Sequence, residues 1–364
     1  MAAAKAAKNA KCSVRISTTS VARSPHKGKR KRLHKESTAS FEAPSSSQSK
    51  ATSSTSATTR ESIRRLVESH IVGEVDGSYV NLKSKVDTTT LGGWCLVDAL
   101  LHCAEASNGV LSPLILKHGP PNFYLDHIRE KYNSVEDENE AGTSSSTTTE
   151  DYPSFRALCR TVAGQQLAGA AAETIWRRLV ETVAENTNQV SEPSFSSLQF
   201  FTPEALLSVV ENMDTKGNKS FVQEDYEKLR KSAGLSRAKC DCILAIARSF
   251  QAGSLSEAFL TEPNNDETIR ERLLSIKGLG PWSVDMFLMF RCHRSNILPI
   301  GDLALRNGTA VLWKANRSFC AKKDAAVIAK YHSPFEPYRS ISSYYMYKVA
   351  DSTKKTKKPA KKKK

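Results

Sequence analysis

Apolar positions recur at three- and four-residue spacing through most of residues 61 to 350, the period of helices that bury one stripe. Ser62 to Val72, Trp94 to Ala106 and Leu111 to Lys117 carry it, and Asp76-Gly77 sits among β-branched residues as in a short hairpin. Tyr152 to Glu185 is one long helical region in which Phe155, Leu158, Val162, Leu167, Ile175 and Leu179 recur at helical spacing. Thr202-Pro203-Glu204 starts a helix through Val210, and Glu224 to Ala233 is stopped by Gly234. Ser236 caps a helix to Phe250 whose positions 240, 243, 244 and 247 form one buried stripe. Asp266 to Ser275 leads into Ile276-Lys277-Gly278-Leu279-Gly280, and Pro281 opens a helix through Trp282 to Phe290. Further helices follow Asp302 as far as Trp313, then Asp324 to Tyr331 and Tyr338 to Val349. The expected fold is mainly α.

Composition sets the boundaries. Residues 1–60 are rich in Ser, Thr, Ala and Lys with few large apolar side chains, which predicts a disordered basic tail. A helical leader (61–133), an acidic and Ser/Thr-rich linker (134–151), the main helical domain (152–350) and a Lys-rich tail (351–364) follow. Of the net charge of +15, the first 60 residues carry +11 and residues 354–364 carry +8, which leaves −4 for residues 61–353. Polyanion affinity therefore resides in the tails, and the core must meet any nucleic acid through a locally arranged face. Lys27-Gly28-Lys29-Arg30-Lys31-Arg32 is a basic cluster of the nuclear-import or nucleic-acid type. The first 24 residues also lack acids, as a transit peptide does, so a mitochondrial or plastid address stands beside the nuclear one. Eight cysteines are scattered without a CxxC pair, as expected for free thiols, and no apolar run approaches the roughly 20 residues that span a bilayer.

Two helical patterns joined by Ile276 to Gly280 form a helix-hairpin-helix. Gly278 and Gly280 let the turn adopt φ > 0 and approach a ligand closely, and the amides opening the next helix suit a phosphate, with Lys277 beside them. A GxG turn serves equally well as a plain connector. Asp302, just before Leu-Ala-Leu-Arg, is in N-cap position, where a helix terminus favours negative charge.

The hairpin, the helix after it and Pro299-Ile300-Gly301-Asp302 together resemble the helix-hairpin-helix DNA glycosylases, in which a Gly/Pro-rich loop precedes a catalytic aspartate. The likeness is to the alkylbase (3-methyladenine) DNA glycosylase II branch. Phe155-Arg156-Ala157-Leu158, Gly164-Gln165-Gln166-Leu167, Ala170-Ala171, Gly234 to Lys239 and Glu336-Pro337-Tyr338-Arg339-Ser340 are similar to the same branch, so that the resemblance covers roughly residues 95 to 349. Residues 213–223 look like an insertion relative to it.

The resemblance implies two helical subdomains with a cleft between them, and a monofunctional enzyme that flips an alkylated purine and hydrolyses its glycosidic bond through Asp302. Bifunctional relatives carry a lysine two residues after the second hairpin glycine, where this chain has Trp282. Trp282, Phe335 and Tyr338 are the candidate base pocket, with core packing as the other reading of each. Gln165 and Gln166 either face the gap left by a flipped base or cap a bend, and Lys277, Gly278, Leu279, Gly280 and Arg339 are candidate DNA contacts. Arg306 reaches phosphates, braces Asp302 or pairs along its helix. Met286 and Leu303 stand where bacterial members are often aromatic. No cofactor or metal ligand set is implied beyond a monovalent cation on hairpin carbonyls, and the four-cysteine iron-sulfur run of some relatives is absent. The expected partner is double-stranded DNA with damaged bases, bound by a monomer, with no membrane. A glycosylase for oxidised or deaminated bases and a non-catalytic damage-binding protein remain the alternatives.

Overall fold

Short loops and amphipathic stripes make this chain mainly helical, in a computed structural model that describes residues 56–71, 90–91, 94–126, 151–186, 195–213, 219–263 and 265–356. All of these lie in one unit, residues 43–364. The expected hairpin at Asp76-Gly77, most of the basic tail, nearly all of the acidic linker and the end of the Lys tail fall outside the described residues.

The leader comprises α1 (Ala57–Ile71), an antiparallel pair β1 (Thr90–Leu91) and β2 (Trp94–Cys95), α2 (Leu96–Ala106) and α3 (Ser112–His118). Trp94 and Cys95 were expected to be helical and are instead paired, Thr90 with Cys95 and Leu91 with Trp94. The expected long helix after Tyr152 is two helices, α4 (Pro153–Gly164) and α5 (Gly169–Asn186). The break sits at Gln166, whose φ of 59° no helix accommodates.

Next come α6 (Pro203–Ser208), a hairpin of β3 (Glu211–Met213) and β4 (Lys219–Phe221), α7 (Gln223–Ala233) and α8 (Arg237–Gln251). Ser236 caps α8 by accepting from Lys239 N, and Cys240, Ile243, Leu244 and Ala247 are buried along it. This stripe packs against α4 and α6.

The chain closes with α9 (Glu257–Thr261), α10 (Asp266–Leu274), α11 (Pro281–Phe290), α12 (Leu303–Leu312), α13 (Ala325–His332) and α14 (Arg339–Thr356). The Lys-rich tail expected from residue 351 is helical as far as Thr356, because buried Val349 and Ala350 anchor the last turns of α14.

The most extensive helix pair is α12 with α14, and a glycine makes it possible. A Cβ on Gly308 would stand 2.1 Å from the carbonyl oxygen of Met346, so only glycine lets the backbones approach this closely. The leader docks on α14 and on the loop that follows Phe290. Tyr345 Oη donates to Gly119 O at 2.9 Å and Trp94 Nε1 to His293 O at 3.2 Å. His332 lies fully buried nearby, with Thr309 Oγ1 at 3.0 Å and Ser342 Oγ at 2.9 Å.

Two predictions follow from this seam. Gly308→Ala should destabilise the fold by about 2–3 kcal/mol or more, since the clash is with backbone that cannot rotate away; urea unfolding measures it. Burial, and then Arg339, pushes the His332 imidazole down to about 3. The unfolded chain therefore takes up a proton near pH 6.5 that the folded chain refuses, and stability should fall as pH drops from 6.5 towards 3. His332→Gln should flatten that limb of the stability–pH curve.

Candidate active site

The hairpin between α10 and α11 is built on one conformational requirement. Gly278 has φ 104°, and a Cβ there would meet Cys242 Cβ at 2.7 Å and Sγ at 2.8 Å, so both the dihedral and the packing on α8 demand glycine. Gly280, expected to share φ > 0, is extended at φ −105° and serves as N-cap residue of α11. Leu279 buries its side chain and spends its N–H on Ile276 O at 3.1 Å, so neither is directed at a ligand. Lys277 is exposed beside the turn.

The α4–α5 bend meets this hairpin and separates the two glutamines. Gln165 Nε2 donates to Gly278 O at 3.1 Å and to Ser283 Oγ at 3.0 Å, which pins hairpin, α11 and bend together. It is a structural brace. Gln166 faces solvent next to Leu167, an apolar side chain 40% exposed at the tip of the bend.

Asp302 is held from both sides. Its Oδ1 caps α12, accepting from Ala304 N at 2.7 Å and Leu305 N at 3.0 Å. Its Oδ2 accepts from Trp282 Nε1 at 2.7 Å. The loop before it is fixed in turn: Asp302 N donates to Pro299 O at 2.8 Å, and Arg306 Nη1 donates to Ile300 O at 3.2 Å and Gly301 O at 2.8 Å. Arg306 is thus a brace for the aspartate's loop. Leu303, the next residue in the chain, is 62% exposed.

Three expected residues lie elsewhere. Phe335 is 1% exposed and packs with Trp313 and His332, so it has no face free for a base. Tyr338 packs on the leader, against Trp94 at 6.0 Å and His102 at 5.4 Å between ring centroids. Arg339 is committed to Asn296 Oδ1 at 2.7 Å and Glu336 Oε1 at 2.8 Å, bracing the start of α14 rather than facing open surface.

The structure supplies other neighbours instead. Tyr347 on α14 has both Asp302 and Asp285 in its electrostatic surroundings, and its ring stacks on Phe290 of α11 at 6.5 Å, which meets Phe123 at 4.7 Å. Asp285, one turn after Trp282, accepts from Arg270 Nη1 at 2.7 Å; burial raises its carboxyl pKa and Arg270 opposes the rise. Sequence reasoning placed Tyr347 only among the aromatics that close the domain. The available signal was the run Tyr344-Tyr345-Met346-Tyr347, since positions two apart on a helix, such as the fully buried Tyr345 and Tyr347, face different sides. Among the described residues no group of three or more His, Cys, Asp or Glu gathers to hold a metal, and no helix is long and apolar enough to cross a membrane.

The site thus joins a glycine-dependent hairpin braced by a glutamine to an aspartate shared between a helix cap and an indole. No family model matches the chain. It is similar to DNA-3-methyladenine glycosylase 1 of Schizosaccharomyces pombe, 29% identical over 203 residues that cover 55% of this chain and 75% of the relative. It is also similar to DNA-3-methyladenine glycosylase of Saccharomyces cerevisiae, 24% identical, covering 56% and 69%. A solved 3-methyladenine DNA glycosylase of the first organism, in complex with abasic DNA, aligns at 25% identity and TM-score 0.42, covering 60% of this chain and 90% of that one. Relatives named DNA-3-methyladenine glycosylase thus support a likeness to the helix-hairpin-helix DNA glycosylases of the alkylbase type.

The cap role of Asp302 is separable from any chemistry. Asp302→Ala removes both the cap and the indole bond and should cost about 2–4 kcal/mol of stability, whereas Asp302→Asn keeps the cap oxygen, loses only the indole bond and should cost about 1–2 kcal/mol in urea unfolding.

Proposed function

We propose that this protein is a monofunctional DNA glycosylase of base-excision repair, flipping an alkylated purine such as 3-methyladenine or 7-methylguanine out of duplex DNA and hydrolysing its N-glycosidic bond. The observation that carries the reading is the Asp302 carboxylate, fixed by two backbone amides and the Trp282 indole beside the hairpin. The names of the relatives support it.

The chemistry is economical. As the glycosidic bond breaks, its electron pair leaves with the base and positive charge grows on the sugar, where a preorganised carboxylate stabilises it and orients the incoming water. An N-methylated purine is already cationic and departs neutral, so it needs no strong acid. Trp282 offers an aromatic face to that cation. The position that carries the Schiff-base lysine in bifunctional relatives holds Trp282, and Lys239 donates its Nζ to Ala163 O at 2.8 Å. The product is an abasic site.

On this reading Lys277 and the first-turn amides of α11 meet a phosphate, and Leu167 with Gln166 enters the gap left by the base. The same proposal includes a monomer acting in the nucleus, directed by Lys27 to Arg32, and tails that add salt-sensitive affinity. It also includes a monovalent cation on the hairpin, where the carbonyls of Ile276 and Gly278 each accept one hydrogen bond and keep a second lone pair.

Base release from methylated duplex DNA tests the reading. The parent chain should release 3-methyladenine or 7-methylguanine, and Asp302→Asn should lose about 100-fold or more of that rate while still binding DNA. Release that survives the substitution, or strand nicking at neutral pH without added base, would refute it.

A further inference from the structure

Asp302 begins α12, and the far end of the same helix opens on a cleft of about 660 Å³ whose other wall is α14, through Ala350 and Thr353. Helix rise separates the two ends of α12 by about 15 Å, so this cleft is distinct from the site at Asp302. Its rim carries Lys314, Arg317, Asn307, Asn316 and Ser318. The remaining lining is alanine and one valine, and no carboxylate lines it. Arg317 is held in place by Asp324, whose oxygens accept from Nη1 at 2.8 Å and Nη2 at 2.7 Å. Lys314 is exposed and in no ion pair among the described residues.

The backbone at Lys314 is strained. Its φ is 52°, its N–H donates to Val311 O at 3.1 Å, and Ala315 N donates to Ala310 O at 2.8 Å. This is the closing turn of a helix, in which glycine is the residue with least strain. The chain instead puts an ammonium there, at the mouth of the cleft. Charge points the same way. Residues 314–324 carry Lys314, Arg317, Lys322 and Lys323 against Asp324, a local excess of +3 in a body whose net charge is −4, and the eight lysines of residues 354–364 continue directly from Thr353.

We propose that this cleft binds the phosphodiester backbone of a nucleic acid at a second site, remote from the Asp302 carboxylate. Lys314 is the ionic contact. Asn307, Asn316 and Ser318 are side chains of the kinds that donate hydrogen bonds to phosphate oxygens. The tail lysines carry the attraction onward along the strand, since each phosphate neutralised releases counterions. The lining fits a protein partner less well. It holds no tryptophan or tyrosine, and its one arginine is already engaged by Asp324.

The test measures binding of undamaged duplex DNA and of single-stranded DNA to the full-length chain by fluorescence anisotropy across a salt series. Lys314→Gly and Lys314→Asn, both at ease at positive φ, should make the slope of log K against log salt shallower by about 0.9 on the duplex or about 0.7 on the single strand, one phosphate contact. Lys314→Arg should keep the parent slope. The tails are the same in every variant, so their share of the slope cancels. A change on the duplex alone makes the occupant double-stranded, and a change on the single strand alone makes it an unpaired strand. An unchanged slope on both, a loss that Lys314→Arg shares, or a Lys314→Gly chain that loses affinity for poly-glutamate but not for DNA would overturn the proposal, the last by making the cleft an acidic-peptide site. Because no base release is read, a chain that releases no methylated purine would overturn the glycosylase reading while this measurement still decides the cleft.

Discussion

Asp302 is the point on which the site depends, because its one carboxylate does two jobs at once. The cap bonds set where α12 begins, and the indole bond ties that beginning to the first turn of α11, 20 residues earlier in the chain. A neutral or shorter side chain loses at least one of the two. The constraint runs outward from there: Arg306 holds the carbonyls of the preceding loop, Ser340 Oγ receives Ile297 N at 2.9 Å, and α14 lies close enough to do so because residue 308 has no side chain.

The cations near the site are largely spent on structure. Arg270 pairs with Asp285, Arg306 with main-chain carbonyls, and Arg339 with Asn296 and Glu336. On the proposed glycosylase reading, a core of net charge −4 would meet DNA through main-chain amides and Lys277, with the basic tails adding to it, rather than through a broad arginine surface. The exposed apolar residues supply the complement. Leu167 at the bend and Leu303 next to Asp302 in the chain are shapes suited to contact with bases and sugars, whose recognition depends little on charge.

Much of the helical order was legible because periodicity and caps are local. Ser236, Gly234, Pro281 and Asp302 announce helix ends through interactions with residues two to four positions away, and the structure places them at those ends. The bend at Gln165–Gln166 was half legible. Its apolar residues keep helical spacing through the break, so periodicity continues where the backbone does not.

By itself the sequence determined the hairpin, the aspartate at a helix start, the absence of a lysine at residue 282 and the uneven charge, since each is a property of residues close along the chain. Only the tertiary structure decided which side chains surround that aspartate. Phe335 and Tyr347 sit twelve residues apart, both aromatic and both in the last 30 residues of the chain; one is buried against Trp313 and His332 and the other stacks on Phe290 of α11. Likewise Gln165 and Gln166 are chemically identical neighbours, and the fold makes one a brace and leaves the other in solvent. Residue type cannot separate such pairs, because the difference lies in contacts between segments distant along the chain.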